Sequence, residues 1–337
     1  MAQINKPDTY FNTVLYTGDG TSSNAITGVG FQPDFLWIKE RNNIRSHQLM
    51  DVVRGASVRL QCDLTNVETS SALNSFDSDG FDVNGSTLNG TNFNTGTYVA
   101  WNWLASNTTA SNTDGGLNST VSVNQTSGFS TMTFTGDGNT TTVGHGLGKT
   151  PDFWIFKNRT TTGQWWAYKT ISGVLNYFSL NNTDVGNTSG LSLPTNQVVS
   201  VNGSVAPIGD DMVCYAFTNI KGFSKAGEYQ GNGSSDGTFV YTGFKPAWIM
   251  VKRADATDVW HILDNKRNTF NQNADWKYLD PASSGAEYDN NQHDFLSNGF
   301  KMRAAGTNSN ASGGTYIYMA FAENPLVGTN NIPATAR

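Results

Sequence analysis

Three copies of one sequence block constrain this chain more than anything else in it. The first copy reads Gly30-Phe31-Gln32-Pro33-Asp34-Phe35-Leu36-Trp37-Ile38-Lys39. The block returns as Gly148-Lys149-Thr150-Pro151-Asp152-Phe153-Trp154-Ile155-Phe156-Lys157 and as Gly243-Phe244-Lys245-Pro246-Ala247-Trp248-Ile249-Met250-Val251-Lys252. The prolines lie 118 residues apart (Pro33 to Pro151) and then 95 apart (Pro151 to Pro246). A spacing of that size is one domain-sized unit, so the chain reads as three divergent modules in tandem. The apolar run after each proline is continuous rather than alternating, as in a strand buried on both faces. A proline at the start of such a strand removes no ladder hydrogen bond.

Other blocks repeat in step. A turn precedes each proline run: Tyr16-Thr17-Gly18-Asp19-Gly20, Phe134-Thr135-Gly136-Asp137-Gly138 and Tyr229-Gln230-Gly231-Asn232-Gly233. Asp-Gly and Asn-Gly supply the positive φ of tight hairpins. Each copy closes on an aromatic strand: Tyr98-Val99-Ala100-Trp101-Asn102-Trp103, Met212-Val213-Cys214-Tyr215-Ala216-Phe217 and Tyr316-Ile317-Tyr318-Met319-Ala320-Phe321. Period-two alternation puts Val99, Trp101 and Trp103 on one face, with Val213, Tyr215, Phe217 and Ile317, Met319, Phe321 matching them. Two further blocks are present in copies one and three and have drifted in copy two. One is a hairpin signal, Ser75-Phe76-Asp77-Ser78-Asp79-Gly80-Phe81 against Asp294-Phe295-Leu296-Ser297-Asn298-Gly299-Phe300. The other is an Asp and Arg three apart, Asp51 with Arg54 and Asp264 with Arg267, spaced for a local salt bridge or a turn cap.

These blocks place module one at residues 8–106, module two at 128–221 and module three at 222–326. Residues 107–127, rich in Asn, Thr, Ser and Gly, read as a linker with one strand at Ser119-Thr120-Val121-Ser122-Val123. Residues 327–337 read as an extended tail that docks on a neighbour. Short strand candidates with frequent turn signals give an all-β chain of three tandem antiparallel β-sandwich modules of jelly-roll type, each proline run covered on both faces.

Composition narrows the chemistry. Only 14% of the 337 residues are charged and the formal net charge is −6. A nucleic-acid partner needs clustered Lys and Arg, and no basic run is present. No stretch approaches the length of a membrane span. The two cysteines, Cys62 and Cys214, sit at non-equivalent places in different copies, so we expect free buried thiols and assembly in a reducing cytoplasm. The N-terminal residues carry no visible signal peptide.

A search for reactive constellations returns no catalytic, metal or cofactor-binding set. The five glutamates form no strand-alternating pair of the kind a glycosidase uses. The four histidines are spread over all three modules without metal-ligand spacing. Gly144-His145-Gly146-Leu147-Gly148 is followed by Pro151 and a β-run, not by the helix a dinucleotide fingerprint requires. Asp77-Ser78-Asp79-Gly80 lacks the glutamate that ends a calcium loop, because residue 88 is Leu. Three residues stand as candidate contacts. His145 sits between glycines, where a ligand contact competes with a turn-stabilising role. Trp165 and Trp166 are adjacent on a strand and point to opposite faces. At most one of them packs in its own module's core; the other faces a neighbouring module, a subunit or a glycan.

Together the blocks at residues 30–39, 75–81, 98–103 and 313–326 resemble an uncharacterised repeat family of marine bacteriophage virion proteins, over nearly the whole chain. The resemblance implies a non-enzymatic, tail-fibre-like structural protein of the virion, with a lectin-like sandwich and no catalytic residues to carry over. We therefore expect assembly in the host cytoplasm, other virion proteins as partners, a host surface glycan as a candidate partner, and a homo-oligomer, with a trimer favoured. The alternatives are a capsid-decorating or head-fibre protein, a carbohydrate-binding module and a polysaccharide depolymerase.

Overall fold

The structure, a computed structural model, describes residues 2–71, 73–85, 90–271, 277–289, 293–328 and 333–335. Among the described residues it is all-β, its strand ladders are antiparallel, and the one α-helical turn is Thr307–Asn310.

One strand order occurs three times. In module one the opening strand Phe11–Thr17 pairs with the closing strand Thr97–Trp103, which pairs with the proline-block strand Phe35–Glu40, which pairs with Gln48–Asp51. Module two repeats this with Phe129–Thr135, Asp211–Phe217, Phe153–Asn158 and Trp166–Ile171. Module three repeats it with Ser224–Gln230, Thr315–Pro325, Phe244–Arg253 and Trp260–Asp264. A smaller sheet accompanies each large one. It has three strands in module one (Asn24–Ile26, Gly80–Val83, Leu73–Asp77) and in module three (Phe239–Tyr241, Gly299–Met302, His293–Leu296). In module two only Thr141–Gly144 and Val198–Val201 form it.

The two faces of each large sheet go to different cores. Toward its own small sheet, the proline and closing strands send Leu36, Ile38 and Ala100 in module one, Trp154, Phe156 and Cys214 in module two, and Ile249, Val251 and Tyr318 in module three. Toward the other face they send Trp37, Trp101 and Trp103, then Ile155, Tyr215 and Phe217, then Trp248, Met319 and Phe321, all into one continuous cluster. The three large sheets thus converge on a single shared core. At its centre Trp103, Phe217 and Phe321, from equivalent places in the closing strands, form a triangle with ring centroids 5.6–6.2 Å apart. Each such side chain contributes roughly 1.5–3 kcal/mol by leaving water. The continuous apolar runs reflect this arrangement: one face serves the module and the other serves the assembly of modules.

The modules close into a ring through equivalent main-chain contacts. From module two to module one, the Arg159 carbonyl accepts from Glu68 N (2.9 Å) and Gly163 N donates to the Thr65 carbonyl (3.0 Å). From three to two, the Ala254 carbonyl accepts from Gly186 N (3.0 Å) and Asp258 N donates to Thr183 O (3.0 Å). From one back to three, the Arg41 carbonyl accepts from Glu287 N (2.8 Å) and Arg45 N donates to Ser284 O (2.8 Å). Residues 41, 159 and 254 all lie eight places beyond their copy's proline, so the contacts obey an internal threefold relation.

Several expectations need correction. Residues 107–127 are not a linker: Ala110–Asn112 and Ser119–Asn124 extend module two's large sheet beyond its opening strand. The Asp-Gly turns do have positive φ, 72° at Gly20 and 76° at Gly138, but they carry the chain from the large sheet to the small one rather than closing a hairpin. Pro246 lies inside its strand, at a shift of register, where a bulge removes the need for its missing N–H. In the tail, Ala334 N donates to the Leu326 carbonyl, so the described residues fold back on their own module; residues 329–332 and 336–337 lie outside the described residues. Both cysteines are buried and free.

A candidate binding cleft on the second module

Copy two lacks one strand that both its sisters have, and a cleft lies there. After the strand Trp166–Ile171 the chain turns into Val174–Ser179 and then Asn187–Thr188, a longer form of the hairpin that modules one and three carry as the short pairs Val58–Arg59 with Thr69–Ser70 and Lys277–Tyr278 with Tyr288–Asp289. The third small-sheet strand of modules one and three has no counterpart among module two's described residues. In module one, Gln48 and Met50 occupy the places of Trp166 and Tyr168, and in module three His261 and Leu263 do; all four are buried. Trp166, by contrast, is only partly covered.

The resulting cleft has a volume of about 360 Å³. Trp166, Tyr168, Tyr177, Thr188, Ser189 and Asn202 are among the residues that line it. Trp166 meets Tyr177 edge-on at 5.4 Å, and Tyr168 stacks on the deeper Trp154 at 5.5 Å. Tyr168 is 3% exposed and lines the cleft. Burial pushes that phenol's pKa up, so it remains a neutral donor and acceptor.

Of the three candidate residues, Trp166 alone lines this cleft. Trp165 is fully buried in the shared core, and its indole N–H donates to the Gln61 carbonyl of module one (2.9 Å). The same place holds Trp260 in module three, donating to Ser179 O (3.0 Å), and His47 in module one, whose Nε2 lies 3.0 Å from Asp280 O. Trp165 is therefore a junction residue of the ring. His145 is also buried: its Nδ1 accepts from Leu147 N (3.1 Å) and its Nε2 lies 3.3 Å from Thr195 O. Burial lowers its pKa to about 4 and keeps it neutral, so it holds its loop together rather than offering a face to a ligand.

The densest ionisable clusters lie at the junctions. Asp51 both caps and pairs with Arg54, as the spacing allows: Oδ1 accepts from Arg54 N (2.9 Å) and Oδ2 from Arg54 Nε. Glu68 bridges Arg54 and, across the junction, Arg159. Tyr215 of module two donates its hydroxyl to Asp51 Oδ2. One junction round, Asp264, Arg267, Glu287, Arg41 and the Trp101 indole repeat the pattern. Between modules two and three the corresponding residues are Gly186, Ala254 and Met319, and the Asp/Arg pair is missing too, so the whole polar set has been replaced together. The Asp51, Arg54, Asp264 and Arg267 side chains are fully enclosed, and the clusters clamp neighbouring modules together. The sequence pointed to the Asp/Arg pairs but gave no sign of their partners in other modules.

Three lysines, Lys39, Lys157 and Lys252, are buried at equivalent places, each donating to the next residue's carbonyl (2.6–2.8 Å). Lys157 also donates to Thr65 O of module one (3.2 Å). No group of three or more His, Cys, Asp or Glu suited to a metal ion occurs among the described residues. No described helix is long and apolar enough to cross a membrane.

No curated protein matches the chain. A family model described as a domain of unknown function (DUF7483) matches residues 6–325 and so takes in all three modules at once. The chain belongs to that family, DUF7483.

Proposed function

We propose that this chain is a non-enzymatic structural protein of a bacteriophage virion, a tail-fibre, spike or appendage component that contacts the host surface. The observation that carries the reading is the closed ring. Three copies held by equivalent junctions around one aromatic core make a rigid block, which suits a part that must keep its shape outside the cell. The low charge and the Asn-, Thr-, Ser- and Gly-rich loops support a surface exposed to a changing medium. The resemblance of the repeat blocks to marine phage virion proteins supports the same assignment. Within this reading each pair of sheets is a sandwich of jelly-roll or lectin-like type. The module junctions are used up inside one chain, so a fibre-forming homotrimer would assemble through other surfaces of the ring.

Immunogold labelling of intact virions tests the proposal. Label at the tail is the expected result. Label on the head would replace the tail reading with capsid decoration. Absence from purified particles would overturn the virion assignment.

A further inference from the structure

We infer that the cleft on module two is a binding site for a neutral oligosaccharide. Copy two alone lacks the third small-sheet strand, and its lengthened hairpin supplies a wall. In the sister modules the same positions are sealed.

The chemistry of the walls selects the ligand class. A sugar ring has an apolar C–H face and a girdle of hydroxyls. The partly exposed Trp166, edge-on to Tyr177, offers a platform for the first. The Tyr168 hydroxyl, with Thr188, Ser189 and Asn202, offers donors and acceptors for the second. A wholly apolar ligand would offer these groups no partner. No charged side chain lines the cleft, so an acidic sugar or a phosphate would find no counter-charge there. A volume of about 360 Å³ lies in the range of small-ligand sites, and the cleft is open enough to admit part of a longer chain.

The test titrates the full chain with neutral oligosaccharides (maltohexaose, cellohexaose and a galactose-terminated series), following tryptophan emission, with sulfated counterparts as controls. Saturable binding of a neutral probe is expected. Trp166→Ala should weaken it about tenfold or more, the loss of one stacking platform. Tyr168→Phe should weaken it severalfold while leaving the thermal midpoint nearly unchanged, which separates a lost ligand contact from a lost fold. Binding of sulfated probes alone, unchanged affinity in both variants, or no saturation with any neutral probe would overturn the inference. Sugar binding in solution requires nothing of where the protein sits in a particle, so failure here leaves the virion reading standing.

Discussion

The hydroxyl of Tyr215 in module two donates to the carboxylate of Asp51 in module one at 2.8 Å, with both side chains buried. It completes an ion pair whose other member, Arg54, is held through Glu68 to the same neighbour. A hydrogen bond to a charged group is worth about 1.5–3 kcal/mol, so Tyr215→Phe should destabilise the chain by that amount. Asp51→Ala should cost more, about 3–5 kcal/mol, because it leaves the buried guanidinium short of a counter-charge. Urea unfolding of both variants checks the order; equal and negligible losses would mean that the clamp does not hold the junction.

At the neighbouring position of the same junction the anchor is an indole. Trp165→Phe keeps most of the packing but removes the indole donor shared by the Gln61 and Leu64 carbonyls, for a loss of about 0.5–1.5 kcal/mol. Trp165→Ala removes the ring from the shared core and should cost about 3–5 kcal/mol. Thermal denaturation distinguishes the two; a loss below about 1 kcal/mol for the alanine variant would place Trp165 outside the core.

The three equivalent buried lysines, Lys39, Lys157 and Lys252, give the chain an unusual dependence on alkali. Burial lowers each ammonium pKa from 10.5 to about 8. Above pH 8 the folded protein therefore binds fewer protons at these sites than the unfolded chain does, and stability rises with pH, by on the order of 1 kcal/mol per pH unit per lysine. Near pH 10 the trend reverses, because buried tyrosines such as Tyr16 and Tyr229 have raised pKa values and unfolding lets them ionise. Urea midpoints between pH 8 and 10 should climb, and Lys157→Met should flatten the climb only in part, since Lys39, Lys169 and Lys252 remain. A midpoint that falls steadily across that interval would contradict this.

A single module should not stand alone. Residues 8–106 by themselves would expose Trp37, Trp101 and Trp103, which the intact chain buries against the other two modules. Expressed in isolation, this fragment should aggregate or bind a hydrophobic dye strongly. A soluble monomer with a sharp melting transition would show that the shared core is dispensable.

Much of this fold was legible in the residues. The alternation of Val99, Trp101 and Trp103 picked out one face, and that whole face enters the shared core with its counterparts. The Asp-Gly signal at residues 79–80 marked a hairpin that is present, with Gly80 so close to the Ile26 carbonyl that a Cβ would stand 1.9 Å from it. The ring was not legible. A strand buried on both faces looks the same whether its second face meets its own module or a neighbour, because periodicity reports burial and not the identity of what covers it. Trp165 shows the limit: its neighbour in sequence, Trp166, fixed that the two point apart, but only the position of Gln61 identifies the surface Trp165 meets. The cleft was half visible, since the drift of copy two was plain while the space it leaves depends on a strand that is not there.

The junction between Arg41 and Glu287 joins residues nearly the whole chain apart. On a ribosome the first module is synthesised long before its second flank exists, and its share of the central aromatics waits for the third. Closing so long a loop is entropically costly and is not rewarded until the last strand arrives. Folding should accordingly be late and slow, with the early modules dependent on protection from aggregation. Once closed, the circle has no terminal repeat from which to fray, so loosening one module strips cover from the other two and the whole chain should open as a single cooperative unit.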